Sequence, residues 1–277
     1  MSRRTAMLDG KRPGLLDSDE AAVEVVNPGG QGMAVLTCDH ASNRFPRRLG
    51  QLGLDPTAVA SHIAWDPGAA WVARRLARLL DAPLVLSGFS RLVVDCNRPI
   101  ESPAAMPVMS AEIGIPGNRE LGAAERAARR AALFDPYHAA ISTVLDERRR
   151  AGRPAALLAI HSFTADYPGE TRPWTIGVSC NRDRRLAGLL LDALAEEPAL
   201  VVGDNRPYSV DDESDYTIPV HGEKRGIPHA LIEIRQDGLA TEAEAAIWAD
   251  RLARAFRRSE PMLAPSVAGL SPSTEEI

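Results

Sequence analysis

The chain has 277 residues, of which 45% are apolar and 25% are charged, a balance typical of an ordinary globular protein. Its formal net charge of −5 argues against a general nucleic-acid-binding protein, because such proteins usually present a basic surface. Its three cysteines have no CxxC spacing, so they predict buried free thiols and neither a disulfide framework nor a cysteine metal site.

The N-terminal sequence predicts no targeting segment. MSRRTAMLDGKRPG is basic but no apolar stretch follows it, and the apolar runs elsewhere in the chain are too short to span a bilayer. We therefore expect a cytoplasmic protein with no membrane partner. Residues 1–22 and 265–277 are polar and predict terminal extensions, which leaves residues 23–264 as a single folded domain.

Apolar runs of strand length alternate along the chain with stretches of helical periodicity. The predicted strands are 33–40, 83–89, 91–97, 155–163, 174–181, 199–205 and 229–237. The predicted helices are 69–80, 120–150 with a break at Asp135-Pro136, 183–196 and 242–258. This alternation predicts a three-layer α/β fold, in which helices flank a central mixed, mostly parallel sheet.

Polar side chains follow four of the predicted strands at the point where each apolar run ends. His40 ends the first strand, Asn97-Arg98 follow the strand 91–97, and His161 lies near the end of 155–163. The strand 229–237 carries Glu233 and Arg235. Because ligands bind beyond the carboxyl ends of the strands in open α/β sheets, these side chains predict one functional site.

Two histidines and a carboxylate, with a fourth position open to water, form the usual catalytic zinc site. We predict that His40, His161 and Asp66 hold one zinc ion, with Asp66 placed at the start of a helix by the following Pro67-Gly68. The alternatives are that the two histidines are satisfied core residues and that Asp66 is a plain helix N-cap.

Glu233 is a lone acid inside the apolar stretch ALIEI, where burial would raise its pKa. It is therefore the predicted general base, which would take a proton from water and pass it to a leaving amine. The alternative is a structural salt bridge to Arg235.

Several further side chains predict contacts with a small acidic substrate. Guanidinium groups match carboxylates in bidentate geometry, and an amide adds a donor, which indicates the four residues Arg91, Asn97, Arg98 and Arg235. For each arginine an ion pair with Asp95 or Asp237 is the competing explanation. His138 and His221 are further candidates, although either could be a solvated loop histidine. Segment 203–228 has the composition of a lid or binding loop.

Seven motifs in this order resemble the N-formylglutamate amidohydrolase family: CDHASNRFP, HIAWDPGA, SRLVVDCNRP, DPYHAAI, AIHSF, NRPYS and HALIEIRQD. The resemblance covers residues 33 to about 255. It implies a single catalytic α/β domain of the zinc-exopeptidase type with one zinc. It also implies hydrolysis of N-formyl-L-glutamate to L-glutamate and formate in histidine catabolism. By this resemblance His40 and His161 are metal ligands, Asn97 and Arg98 bind the substrate carboxylate, and Glu233 is the general base.

One position departs from the wider group of zinc carboxypeptidases to which this family is related. Those enzymes usually have a glutamate three residues after the first histidine, where this chain has Asn43. A neutral amide is a poor zinc ligand beside a carboxylate, so Asp66 is the predicted third ligand and Asn43 the alternative.

Three other functions fit parts of the sequence. The substrate could be another N-acyl amino acid or a short peptide, or the fold could bind a small molecule without turnover. The intact set of His40, His161 and Glu233 argues against a binding protein. A serine hydrolase is disfavoured because the chain has no GxSxG motif.

Overall fold

A seven-stranded sheet forms the centre of the fold in the computed structural model, which describes residues 14–167 and 169–263. In chain order the strands are β1 (Val23–Val26), β2 (Ala34–Cys38), β3 (Leu84–Ser87), β4 (Met109–Ser110), β5 (Ile113–Gly114), β6 (Ala156–Phe163), β7 (Asp166–Tyr167), β8 (Glu170–Thr171), β9 (Ile176–Ser179), β10 (Val202–Asp204) and β11 (His229–Arg235). The helices are α1 (Pro56–Ala60), α2 (Ala69–Leu79), α3 (Ala123–Arg129), α4 (Asp135–Arg150), α5 (Arg185–Ala195) and α6 (Glu242–Leu263).

The strand order in the large sheet is β1-β3-β2-β6-β11-β9-β10. The four central strands β3, β2, β6 and β11 are parallel, whereas β1 is antiparallel to β3 and β9 is antiparallel to β11. β4 with β5, and β7 with β8, form two short hairpins outside the sheet. This mixed, mostly parallel sheet confirms the predicted α/β fold class.

Helices cover both faces of the sheet because its central strands are apolar on both sides. All eight residues of β6 are buried. Leu158 and Ile160 face a core shared with α2, α5 and α6, whereas Leu157 and Ala159 face a core shared with α4. The near-continuous apolar runs of the sequence are therefore the buried strands of a three-layer structure.

The predicted strand at 91–97 is wrong. These residues form turns that follow β3, and Val93 and Asp95 donate backbone hydrogen bonds to Ser90 and Ala105 and not to a neighbouring strand. Leu92, Val93 and Val94 are buried in a second apolar cluster beside the sheet. Burial in this side cluster gives the segment a strand-like composition without strand pairing.

Two other segments differ in detail from their predictions. The tract predicted at 120–150 is helical from Ala123 to Arg150, and α3 and α4 are joined by a π-helical segment at Arg130–Phe134, directly before the predicted break. Segment 203–228 contains β10, a second π-helical segment at Ile218–Gly222 and a 3-10 turn at Glu223–Arg225, so it is more ordered than a plain loop.

Residues at the ends of the chain were predicted to be extensions. Residues 1–13 and 264–277 lie outside the described residues, and the partly buried Leu15 and Leu16 pack against the side cluster. Within the part of the chain that the structure describes, no helix combines the length and the apolar character that crossing a bilayer requires.

Candidate active site

Three elements bring His40, Asp66 and His161 together at the carboxyl edge of the sheet. His40 follows the end of β2, and His161 lies on β6, which pairs with β2 in parallel. Asp66 begins the tight turn Asp66-Pro67-Gly68 into α2. Gly68 has a φ of +78°, and a Cβ there would come within 2.5 Å of Leu239, so the turn requires glycine.

The three side chains are buried and their ligand atoms all lie within 4.8 Å of one another. The Nδ1 atoms of His40 and His161 lie 3.2 Å and 2.8 Å from the same Asp66 oxygen, Oδ2. The two rings are 4.9 Å apart between centroids and are nearly perpendicular. The backbone N–H of Asp66 donates to the His40 carbonyl at 3.0 Å, which fixes two of the three residues to each other.

The opposite nitrogen of each ring meets a second buried carboxylate. His40 Nε2 lies 2.8 Å from Asp95 Oδ1, and His161 Nε2 lies 2.8 Å from Asp39 Oδ2. Asp39 in turn accepts hydrogen bonds from Tyr137 Oη at 2.8 Å and Thr217 Oγ1 at 2.6 Å. Carboxylates that hold the far nitrogen of a histidine orient it as a metal ligand.

Asp39 and Asp95 were not predicted as part of the metal site. The sequence indicates Asp95 only as an ion-pair partner of an arginine, and Asp95 has this role too, since Arg91 Nη2 lies 2.7 Å from Asp95 Oδ2. Asp39 is adjacent to His40 in the chain, and a carboxylate beside a strand-end histidine is a signal that could have indicated it.

The carboxylates of the site are held in the ionised state. Burial opposes ionisation of Asp39, but its contact with His161 outweighs this effect and lowers its pKa to about 2. The pKa values of Asp66 and Asp95 are also lowered against the effect of burial, that of Asp66 by the two histidines and that of Asp95 by Arg91 and His40. Arg91 is the guanidinium that contacts two of these three carboxylates, Asp66 and Asp95, so with neutral histidine rings the site carries an excess of negative charge.

This arrangement fits a divalent cation. Each histidine uses Nε2–H as the donor to Asp39 or Asp95, so a neutral ring directs the Nδ1 lone pair at the ionised Asp66 oxygen. Two lone pairs facing a carboxylate at these distances repel unless a proton or a metal ion lies among them. Without a metal, protons fill this role. Burial lowers the pKa of both histidines, and Arg91 also lowers that of His40, but the neighbouring carboxylates outweigh these effects and raise both pKa values. Imidazole and carboxylate are ligands that zinc accepts.

Glu233 lies beside this group on β11. It is the register partner of His161 across the parallel β6–β11 pair, and its Oε2 is buried with no described hydrogen-bond partner. Burial raises the pKa of Glu233 from 4.5 to about 7. A carboxyl group that exchanges its proton near neutral pH can act as a general acid or base.

A cavity of about 540 Å³ opens onto these residues, within the size range of small-molecule sites. His40, Asp66, His161 and Glu233 line it, and so do three of the predicted substrate-binding residues, Arg91, Asn97 and Arg98. Arg98 is partly exposed and donates to the Ser214 carbonyl, and its Nη1 lies 3.5 Å from Asp215. The cavity therefore joins the predicted metal site to the predicted anion site.

Four other candidate residues lie elsewhere. Arg235 pairs with Asp237 at 2.9 Å and donates to the carbonyls of residues 172 and 173, and it is not part of the cavity lining. His138 and His221 are buried outside the cavity and bond to each other at 3.0 Å. Asn43 donates to the Val59 carbonyl at 3.2 Å, away from the histidines. Their positions give no support for substrate contact or, for Asn43, for metal binding.

Among the lining residues that were not predicted are His62 and Tyr208. His62 lies in the segment before Asp66. Tyr208 lies on the NRPYS motif, and its hydroxyl accepts a hydrogen bond from Arg172 Nη1 at 2.9 Å while its ring packs over the same guanidinium. Both residues belong to quoted motifs, His62 to HIAWDPGA and Tyr208 to NRPYS, and these motifs could have drawn attention to them.

Comparison with known proteins gives a consistent result. The model of the N-formylglutamate amidohydrolase family matches residues 33–240. The crystal structure of gene product Atu2144 from Agrobacterium tumefaciens is similar, with 42% sequence identity and a TM-score of 0.87, over 91% of this chain and 100% of that chain.

A second solved structure shares the fold at lower identity. It is the N-formylglutamate amidohydrolase from Ralstonia eutropha JMP134, with 19% identity and a TM-score of 0.60, over 87% of this chain and 98% of that chain. No protein with a curated description matches this chain.

Proposed function

This chain belongs to the N-formylglutamate amidohydrolase family, and from this premise we propose that it hydrolyses N-formyl-L-glutamate to L-glutamate and formate with the help of one zinc ion. The observation that carries the proposal is the buried group of His40, Asp66 and His161 at the floor of a cavity that also contains Glu233. These are the ligand types of a catalytic zinc site with a general base beside it.

His40, Asp66 and His161 would hold the ion, and Asp39 and Asp95 would keep the two imidazoles oriented. When bound there, zinc supplies a Lewis acid that polarises a carbonyl and lowers the pKa of water. The excess of buried carboxylates supports a cation of charge +2 at this position.

Glu233 moves the protons of the reaction. As a carboxylate it accepts a proton from the water whose oxygen bonds to the formyl carbon. As a carboxylic acid it then donates that proton to the amide nitrogen as the C–N bond breaks, which leaves the free amine and formic acid, and the formic acid loses its proton to water as formate. A pKa near 7 suits both steps, because neither protonation state is strongly disfavoured at neutral pH.

The cations of the cavity support an acidic substrate. Arg98 has one carboxylate neighbour at 3.5 Å and is 30% exposed at its side chain, so its guanidinium can turn toward a substrate carboxylate. Arg91 also lines the cavity, where its guanidinium lies 3.7 Å from Asp66 and adds to the local positive potential.

A second candidate is hydrolysis of another N-acyl amino acid that carries a single carboxylate. The observation in its favour is the bonding of Arg91, which already donates to Asp95 through two nitrogens at 3.0 Å and 2.7 Å. Arg98 is then the lining arginine that is free of such a two-bond pair and can bind one substrate carboxylate, whereas N-formyl-glutamate has two.

The test is formate release from N-formyl-glutamate, compared with N-formyl-aspartate and with acetate release from N-acetyl-glutamate. We expect the highest kcat/KM on N-formyl-glutamate and loss of turnover when a chelator removes the metal. An N-formyl amino acid with an uncharged side chain completes the comparison, and its faster turnover would favour the second candidate. Turnover that persists unchanged after metal removal would reject both.

A further inference from the structure

His138 and His221 form a buried pair outside the cavity. Their side chains come from α4 and from the π-helical segment Ile218–Gly222, and the residues are 7% and 1% exposed. The rings stack at 5.2 Å with an angle of 17° between their planes, and His138 Nδ1 lies 3.0 Å from His221 Nε2. His138 also packs against Phe134 and Tyr216.

The contacts of the pair fix its protonation. His138 Nε2 lies 2.9 Å from the Cys96 carbonyl oxygen, so this nitrogen carries the proton and donates. Burial lowers the pKa of His138 to about 4 and that of His221 to about 3, so both rings are neutral at physiological pH. His138 Nδ1 is then an acceptor, and His221 must donate from Nε2. The result is one directed chain, from His221 through His138 to the Cys96 carbonyl.

The Cys96 carbonyl belongs to the segment that orients one proposed metal ligand. The preceding residue, Asp95, holds His40 Nε2, and the following residue, Asn97, accepts from the backbone N–H groups of Tyr216 and Thr217 at 3.3 Å and 3.0 Å. The backbone of this segment is therefore held at its centre by His138. A shift of the Cys96 carbonyl would move the Asp95 carboxylate relative to the His40 ring.

The His221 side of the pair leads to the other proposed ligand. Thr217 lies four residues before His221, and its hydroxyl donates to Asp39 Oδ1 at 2.6 Å. Asp39 holds His161 Nε2 through its other oxygen. The bond between His138 and His221 thus connects the two backbone segments that carry or contact the orienting carboxylates of both histidine ligands.

The π-helical segment Arg130–Phe134 explains how one side chain of α3 and one of α4 can both donate to backbone carbonyls of the segment 93–96. Arg129 is fully buried and donates to the Val93 carbonyl at 3.2 Å, whereas His138, nine residues later, donates to Cys96. At about 100° per residue, nine α-helical residues would place these side chains on opposite faces. One extra residue taken up by the π turn brings them to within about 80° of each other.

We propose that His138 and His221 are positioning residues, whose single hydrogen bond sets the carboxylates of Asp95 and Asp39 and thereby the geometry of the metal site. The proposal rests on the metal site described above, although not on the identity of the substrate. It gives a role to two buried histidines that lie outside the cavity lining.

The test compares two substitutions of His221. Glutamine keeps an N–H donor at the position of Nε2, whereas leucine fills the volume and removes the donor. Zinc affinity is measured by competition with a chromogenic chelator, at a temperature where all variants are folded by circular dichroism. A control, Leu190→Ala, opens a cavity in the core under α5, away from the pair.

We expect His221→Leu to weaken zinc binding by about tenfold, the lower end of the range for a lost ligand-orienting contact because it acts through Asp95 and Asp39, and His221→Gln to stay within about threefold of the parent. Leu190→Ala should lower the melting temperature without changing zinc affinity. Equal affinities of the leucine variant and the parent would overturn the proposal. So would an equal loss in the glutamine variant or in the control.

A second measurement uses the metal-free parent protein, so it depends neither on zinc binding nor on the folding of a variant. Nitrogen-15 NMR of the metal-free parent protein should show His138 and His221 as neutral Nε2–H tautomers at pH 7. A protonated ring, or an Nδ1–H tautomer for either residue, would overturn the directed chain. A protein with the predicted tautomers but no zinc binding would instead contradict the proposed function.

Discussion

Glu233 and His161 are register partners on the adjacent parallel strands β11 and β6. Paired residues of neighbouring strands project their side chains to the same side of the sheet, so the proposed base lies next to a proposed ligand through backbone pairing alone. On its other side Glu233 faces Gly177 of β9, where a Cβ would meet the Arg206 carbonyl at 1.9 Å. The sheet therefore fixes the base from both sides and lets segment 205–209 approach it.

Glu233→Gln should abolish turnover and leave the metal site intact. Removing a positioned general base typically costs 10²- to 10⁴-fold in rate, and Glu233 does not belong to the group of proposed ligand atoms. We expect kcat to fall by about this factor, with zinc content unchanged by elemental analysis. Glu147→Gln, at an exposed position on α4, is the matched control. A glutamine variant at 233 with full activity would reject the assigned base.

Glu233 also makes the stability of the metal-free protein depend on pH. Its pKa is about 7 in the folded state against an ordinary value of 4.5, so the folded state binds the extra proton between these values. The contribution to stability is complete below pH 4.5 and is lost as the pH rises through about 7, by roughly 3 kcal/mol.

The free energy of unfolding of the metal-free parent and of Glu233→Gln, from urea denaturation between pH 5 and 8, tests this dependence. The difference between the two proteins isolates residue 233 from the other titrating groups. The variant should gain stability relative to the parent as the pH rises. A difference that does not change with pH would show that the pKa of Glu233 is not raised.

Asp39→Asn and Asp95→Asn should each weaken zinc binding by about 10- to 100-fold. The amide keeps an acceptor for the histidine Nε2–H but loses the charge that orients the ring and raises its basicity. Asp250→Asn, at a half-exposed ion pair with Arg75, provides the control. Zinc dissociation constants from chelator competition measure the effect, and unchanged constants in both site variants would contradict the proposed orienting role.

Arg98→Ala should raise KM for N-formyl-glutamate by about tenfold or more with a smaller effect on kcat. The reason is that the proposed contact of its guanidinium is with a substrate carboxylate, away from the reacting bond. Arg235→Ala serves as the comparison, because Arg235 bonds to Asp237 and to backbone carbonyls outside the cavity lining. Steady-state kinetics of both variants decide the assignment. A larger rise in KM for Arg235→Ala would reverse it.

The central part of the site could be predicted because it depends on strand ends. His40, His161 and Glu233 each lie at the carboxyl end of an apolar run that is a strand in the structure, and parallel strands bring such ends to one edge. Asp66 could be predicted from the turn-forming Pro67-Gly68 that follows it. The apolar periodicity and the position of each polar residue after an apolar run are enough to predict these side chains, and no tertiary contact needs to be known.

The remaining contacts depend on packing that local sequence does not encode. Asp95 is on a buried turn and not on a strand, because Leu92, Val93 and Val94 enter the side cluster. The approach of His138 to Cys96 depends on a π-helical turn at Arg130–Phe134, which the composition of that segment does not indicate. The case of Arg235 is different, because its pairing with Asp237 is the alternative that the sequence itself offers.

Zinc titration of the metal-free protein, followed by formate release from N-formyl-glutamate, tests the central claim most directly. We predict no activity in the absence of metal, a linear recovery to a break at one equivalent of zinc per chain, and no recovery in His161→Ala. Full turnover by protein shown to be metal-free, or normal recovery in His161→Ala, would contradict the account.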